Sequence, residues 1–266
     1  MRIVLVLFVL FFSLSATGQG NPRVDSVLRE IKDMKVDTAK VNMYRLLFYD
    51  FQGDCNVLFY PGEDVDEKMK YIDSILVISQ RLNSRYGIAT AYNCKGLVYL
   101  NQQPGHYKKA LDNFTLARDI FAVTGNRSSS AGVLCNIGTV YQAQFKSDAA
   151  MSVLSIAKKI QEEMHDSLAL GATLFDIGKV YLGWRDYDKA MDNFLMAKTI
   201  FEIKREQRSL ALTYSNLGWT FARQKRYSDA LAAANKGLGI ATQTGWTPAI
   251  RDANECLKYV AKHSSP

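Results

Sequence analysis

The chain has 266 residues, 48% hydrophobic and 22% charged, with a formal charge of +7. That composition supports a sizeable apolar core and excludes a disordered or collagen-like polymer. The basic excess is dispersed, as in "AKKIQEE" and "EIKREQR". It describes a solvated helical surface, not the one-faced cluster of a nucleic-acid footprint, so no nucleic-acid partner is expected.

The chain opens "MRIVLVLFVLFFSLSATGQG", with Arg2, an apolar run from Ile3 to Phe12 and then small polar residues. A bilayer span needs about 20 apolar residues. The shorter run fits the apolar region of a secretory signal peptide over residues 1–18, with Ala16-Thr17-Gly18 as the cleavage signature and Gln19 as the new first residue. The expected location is the periplasm or outside of a bacterium, with no stable membrane span in the mature chain. Residues 19–36 read as an N-terminal extension.

From residue 37 the chain aligns with itself. The first pair of helices, 37–83, is the most divergent: Leu47, Phe48 and Phe51 begin it, "QGDCNVLFYPGEDVDE" breaks it at Pro61-Gly62, and a second helix runs from about Lys68 to Asn83. The pair 84–125 carries Gly96, Tyr99, Ala110, Phe114 and Ala117, with Lys95 in the usual apolar place before the glycine. The pair 126–165 carries Gly138, Tyr141, Ala150, Leu154 and Ala157, and 166–205 carries Gly178, Tyr181, Ala190, Phe194 and Ala197. The pair 206–245 carries Gly218, Phe221, Ala230, Ala234 and Gly237, and its small residues predict thin packing. The glycines at 138, 178 and 218 recur every 40 residues. Asp186 and Ser228 are placed to cap second helices. A last helix, 247–262, has Thr247 as its expected N-cap, Pro248 at the first helical position, and a stripe of Ile250, Ala253, Leu257 and Val260; it reads equally as a cap or as a repeat cut short. Residues 263–266 form a tail.

Each copy has glycine and aromatic three apart on one helix, then Ala, bulky and small residues four and three apart on the next, so each set lies on one helical face. A mid-helix glycine costs about 1 kcal/mol against alanine. Its recurrence predicts that the first helix must lie close to the second. Neither helix buries its stripe alone, and stacked repeats do, which makes an all-α solenoid.

The pattern Leu/Ile-Gly-x-x-Tyr followed by Ala-x-x-x-Phe-x-x-Ala resembles the tetratricopeptide repeat. The period is longer than that family's 34 residues, which predicts longer helices. It is similar to the long-helix variety of kinesin light chains and bacterial quorum-peptide receptors. "GIATAYNCKGLVY" and "DTAKVNMYRLLFYDF" resemble the exported repeat regions of bacterial sensor proteins. The resemblance covers roughly residues 37–262 and implies a right-handed superhelix whose first helices line a concave, partner-binding face.

That implication places a groove at the positions three before, one after and four after each glycine. The candidates for contact with a protein or peptide ligand are Asn93, Leu97, Cys135, Thr139, Gln142, Phe175, Lys179, Leu182, Ser215 and Trp219, with Arg223 beside them. Phe175 and Trp219 are the expected anchors, since aromatics dominate interface energetics. Leu97 and Leu182 serve equally well as packing residues.

Little points to catalysis. His106, His165 and His263 lie in turns and tail, without the paired spacing of a zinc site. Cys55, Cys94, Cys135 and Cys256 are too irregular for a disulfide framework. No catalytic residue, cofactor or metal is expected. The functional expectation is an exported scaffold that binds a peptide or protein segment; the alternative is the extracytoplasmic sensory portion of a histidine kinase or helix-turn-helix regulator.

Overall fold

The computed structural model describes residues 65–102 and 105–264. The expected signal peptide, the extension and the expected first helix of the first pair, with Phe48, Cys55 and Pro61-Gly62, lie outside the described residues. Within them the chain forms α1 (Val65–Arg81), α2 (Arg85–Asn101), α3 (Tyr107–Val123), α4 (Arg127–Ala143), α5 (Ser147–Glu163), α6 (Ser167–Gly183), α7 (Tyr187–Lys204), α8 (Gln207–Arg223), α9 (Tyr227–Thr244) and α10 (Thr247–His263), and no strand. Each helix has 17 or 18 residues and so runs about 25 Å. Successive helices pack on one another, and first helices of successive repeats also touch directly. This is an all-α, tetratricopeptide-like solenoid.

The repeat seen in sequence is made of two equivalent halves. Left-handed backbone recurs at Gly125, Phe145, His165, Arg185, Arg205, Lys225 and Gly245, every 20 residues. At each the next residue's N–H reaches back to the carbonyl five earlier, as from Asn126 to Phe121 at 2.9 Å, Lys146 to Tyr141 at 2.9 Å and Arg226 to Phe221 at 2.9 Å. This is the Schellman closure, which satisfies carbonyls that a helix end leaves unpaired. Next comes an N-cap. Ser84, Asn126, Asp166 and Asp186 accept there from the backbone N–H three residues on. Two capping expectations shift: Arg226 and Trp246 hold the N-cap positions, so Ser228 and Thr247 lie inside α9 and α10.

Between the halves, small residues let the helices close. Ala110, Ala150, Ala190 and Ala230 are fully buried. A Cβ on Gly96 would stand 2.5 Å from the Phe114 ring, on Gly138 2.9 Å from Leu154 and on Gly178 2.6 Å from the Phe194 ring. The glycine therefore makes room for the bulky residue of the partner helix. Tyr99, Tyr141, Tyr181 and Phe221, half-buried, cover the ends of these contacts.

The pair α8–α9 overturns the expectation of thin packing. With Ala234 and Gly237 in place of larger residues, backbone meets backbone. A Cβ on Gly237 would come within 2.9 Å of the Ala211 carbonyl, and one on Gly218 within 3.2 Å of the Ala230 carbonyl. Smallness here draws the helices together instead of leaving a void. Lys95 is accommodated differently, by an ion pair to Asp73 of α1 at 2.6 Å.

A candidate ligand groove

The proposed groove residues divide between a polar seam and an open trough. The seam joins successive first helices. Asn136 Nδ2 donates to Asn93 Oδ1 at 2.9 Å. Cys135 Sγ lies 3.0 Å from Thr173 Oγ1 and 3.8 Å from Gln161 Nε2. Thr139 Oγ1 donates to the Cys135 carbonyl at 3.2 Å. Gln142 Nε2 spans to the Asp176 carbonyl of α6 at 2.9 Å. Burial first, and the Asp176 charge in addition, push the Cys135 thiol up to about 12 against the hydrogen bonds from Thr173 and Gln161. A thiol so placed is a packing group, not a nucleophile.

Two candidates belong to the core, and a third, half-buried, packs against it. Leu97 is 7% exposed and packs in the cluster of Leu100, Phe114 and Ile137. Ser215 is fully buried, beside the space a Gly237 side chain would take. Phe175 tilts against Phe194 with ring centroids 5.6 Å apart, under the Lys179 ammonium at 5.6 Å, and packs against the core between α6 and α7. Its position three residues before Gly178 turns it toward the second helix, so it is not the free anchor expected.

The trough has a volume of about 750 Å³ and brings together Gln142, Lys179, Leu182, Trp219 and Arg223 from α4, α6 and α8. Trp219 leans on Tyr259 of α10 at 5.4 Å. Burial raises the Asp252 pKa, and the neighbouring Trp219 side chain offsets part of the rise. The Arg223 guanidinium lies 5.9 Å over Trp219 and 5.2 Å over Tyr259, which fixes it by cation–π attraction. Lys179 Nζ is 3.0 Å from Asp176 Oδ1.

Sequence reasoning missed half of the wall. Phe145 and Arg185 enter from the turns after α4 and α6, Ser147 and Tyr187 from the first positions of α5 and α7, and Tyr259 from α10. Phe145 has left-handed backbone, φ 58°, and is 93% exposed. Tyr107, Tyr187 and Tyr227 recur at 40-residue spacing with Ser147 in their place in one repeat, but the position of Phe145 and Arg185 carries no repeated identity, so the self-alignment was silent about those two. Elsewhere, His106 stacks on Tyr99 at 6.0 Å and the His263 ring on Tyr259 at 4.1 Å. Among the described residues no cluster of His, Cys, Asp and Glu can hold a metal ion, and no helix is long and apolar enough to cross a membrane. Cys94, Cys135 and Cys256 form no disulfide among the described residues.

No protein-family model matches the sequence, and no curated protein matches it. Solved structures do. BtubC (BKLC) from P. vanneervenii superposes with a TM-score of 0.63 at 17% identity, over 84% of this chain and 91% of that one. A signal transduction ATPase with numerous domains from Pyrococcus horikoshii, described as having a tetratricopeptide repeat sensor, gives 0.61 at 16% identity over 86% of this chain, which spans 34% of its length. Aspartyl phosphate phosphatase F from Bacillus subtilis gives 0.65 at 13% identity, over 96% and 72%. The helix pairs, the Gly/Ala packing and these likenesses together give the chain the tetratricopeptide-repeat fold.

Proposed function

We propose that this chain is an exported repeat scaffold that holds a segment of another polypeptide along its first-helix face. Export rests on the apolar run Ile3–Phe12 and the Ala16-x-Gly18 signature. The observation that carries the binding role is the trough. Four residues named from their register beside the repeat glycines meet there with Arg223, in a concavity with apolar walls and a few fixed polar groups. A photo-crosslinking residue at Ser147, on the trough, should yield polypeptide adducts in the exported fraction. The same residue at Met196, exposed on the second-helix side, should not. Equal labelling from both positions, or none from Ser147, refutes the role.

A second reading, the sensory part of a signalling protein, draws on the likeness to the Pyrococcus protein with its repeat sensor. The coding sequence after Pro266 separates the two: an open frame into an apolar span favours the sensor, and a stop codon favours the scaffold.

A further inference from the structure

We infer that the trough takes an acidic polypeptide segment, its carboxylates on Lys179, Arg185 and Arg223 and an apolar side chain against Phe145; this rests on the peptide-groove reading above. The wall contains these three cations and no carboxylate. The acids beside it are engaged or buried: Asp176 pairs with Lys179 at 3.0 Å, Asp186 with Lys189 at 2.8 Å, Asp188 accepts from Gln224 Nε2 at 3.1 Å, and burial raises the pKa of Asp252. Lys179 keeps donors beyond the one it gives Asp176. Arg185 is exposed at the rim. The ring contacts of Arg223 hold its flat face and leave the N–H edge for a carboxylate. A concave wall of one sign focuses potential, and an anionic partner is the complementary one. Phe145 points the same way. An apolar ring 93% exposed on a left-handed turn is favoured neither by water nor by its backbone, and a ligand side chain would cover it.

Cations interleaved with aromatics also describe a single-stranded nucleic-acid channel, which needs open ring faces for bases. Here the inner rings, Trp219 and Tyr259, are engaged with one another, and Phe145 is the exposed ring at the rim. Trp219 leans on Tyr259, Tyr259 carries His263 at 4.1 Å, and Arg223 lies over both Trp219 and Tyr259. The walls favour a peptide.

The test is fluorescence anisotropy of the purified protein with a labelled, end-blocked decapeptide alternating Glu and Phe. Its Gln-for-Glu counterpart and a ten-nucleotide oligo-dT serve as comparators. The Glu peptide should bind about tenfold or more tighter than the Gln peptide at low salt and lose that margin as salt screens it. Lys179→Gln, Arg185→Gln and Arg223→Gln should each shrink the margin severalfold, with unchanged melting curves showing the variants folded. Phe145→Ala should weaken both peptides. Equal binding of the Glu and Gln peptides in the trough overturns the acidic preference and leaves the peptide groove standing. Tighter binding of oligo-dT overturns it in favour of nucleic acid. No binding of either peptide overturns both readings.

Discussion

Gly178→Ala and Gly132→Ala are the same chemical change in neighbouring first helices, and the structure gives them opposite signs. Gly132 lies on the exposed side of α4, and a Cβ there meets nothing within 4 Å. The variant should gain about 1 kcal/mol from helix propensity alone. At Gly178 a Cβ would stand 2.6 Å, 2.7 Å and 3.1 Å from three carbons of the Phe194 ring. Carbon atoms in contact prefer about 3.5–4.0 Å, so the ring must withdraw by roughly 1 Å. Phe194 has no exposed surface and is backed by Phe175, Leu174 and Leu217, so it has nowhere to go. Overpacking of this kind costs about 2–3 kcal/mol. Set against the propensity gain, the net loss is about 1–2 kcal/mol. For an array of this size each kcal/mol moves the midpoint by about 2–4 °C, so thermal melts followed by circular dichroism should rise by about 2–4 °C for Gly132→Ala and fall by about 2–8 °C for Gly178→Ala. Gly237→Ala should fall further, because the atom it meets at 2.9 Å is a backbone carbonyl that cannot swing aside. A Gly178→Ala midpoint raised alongside Gly132→Ala would show that the repeat glycine is not there for close approach.

Other outcomes follow from the turns, the thiols and the termini. Lys225 is exposed with φ 63°, so Lys225→Gly should stabilise by about 0.5–1 kcal/mol, read as a higher urea midpoint; a lower one would mean that the left-handed closure is not strained. Burial pushes the Cys135 and Cys256 thiols from 9.0 up to about 12. A raised folded-state pKa means that their stabilisation is whole below pH 9 and is lost as pH rises toward 12, so stability should drop between about pH 9 and pH 12, and drop less in the double alanine variant; equal drops would refute the assignment. Phe175→Ala should lower the melt by truncating a ring packed on Phe194 and leave trough binding intact, whereas binding lost at unchanged stability would return Phe175 to the groove. Intact mass of exported protein should begin at Gln19, and a membrane-held species retaining Met1 would remove the signal peptide.

The fold was legible because close packing repeats in sequence. Gly138 and Leu154, or Gly178 and Phe194, must recur wherever two helices of this pitch close on one another, so the chain spells the contact each time. The halved period was hidden for an equally physical reason. Glycine is the usual mark of a left-handed helix end, and only Gly125 and Gly245 carry it; Phe145, His165, Arg185, Arg205 and Lys225 adopt the same backbone without the mark. The groove was half legible. The offsets one and four after the glycine found Gln142, Lys179, Leu182 and Trp219, with Arg223 beside them. The offset three before it meets neighbouring helices in every repeat, at Asn93, Cys135, Phe175 and Ser215, and Leu97 takes its alternative as a packing residue although Lys179 and Trp219 at the same offset line the trough.

The far end of the array shows fold and site drawing on the same helix. Lys258 stands forty residues after Gly218, where α4, α6 and α8 have glycine, and Leu257 keeps the register of Ile137, Ile177 and Leu217. So α10 is a first helix by position, with Ala253, Cys256 and Val260 buried against α8 and α9. Its pairing face is different. Arg251, Asn254 and Lys258 replace the small and apolar residues of the earlier helices, and Arg251 and Lys258 are exposed, so this face of α10 is polar. The same helix sets Tyr259 against the Trp219 ring, and these two rings hold Arg223. The helix released from the packing code is thus the one that builds the last wall of the trough, and the residues that no longer repeat are those that distinguish this concave face from a generic one.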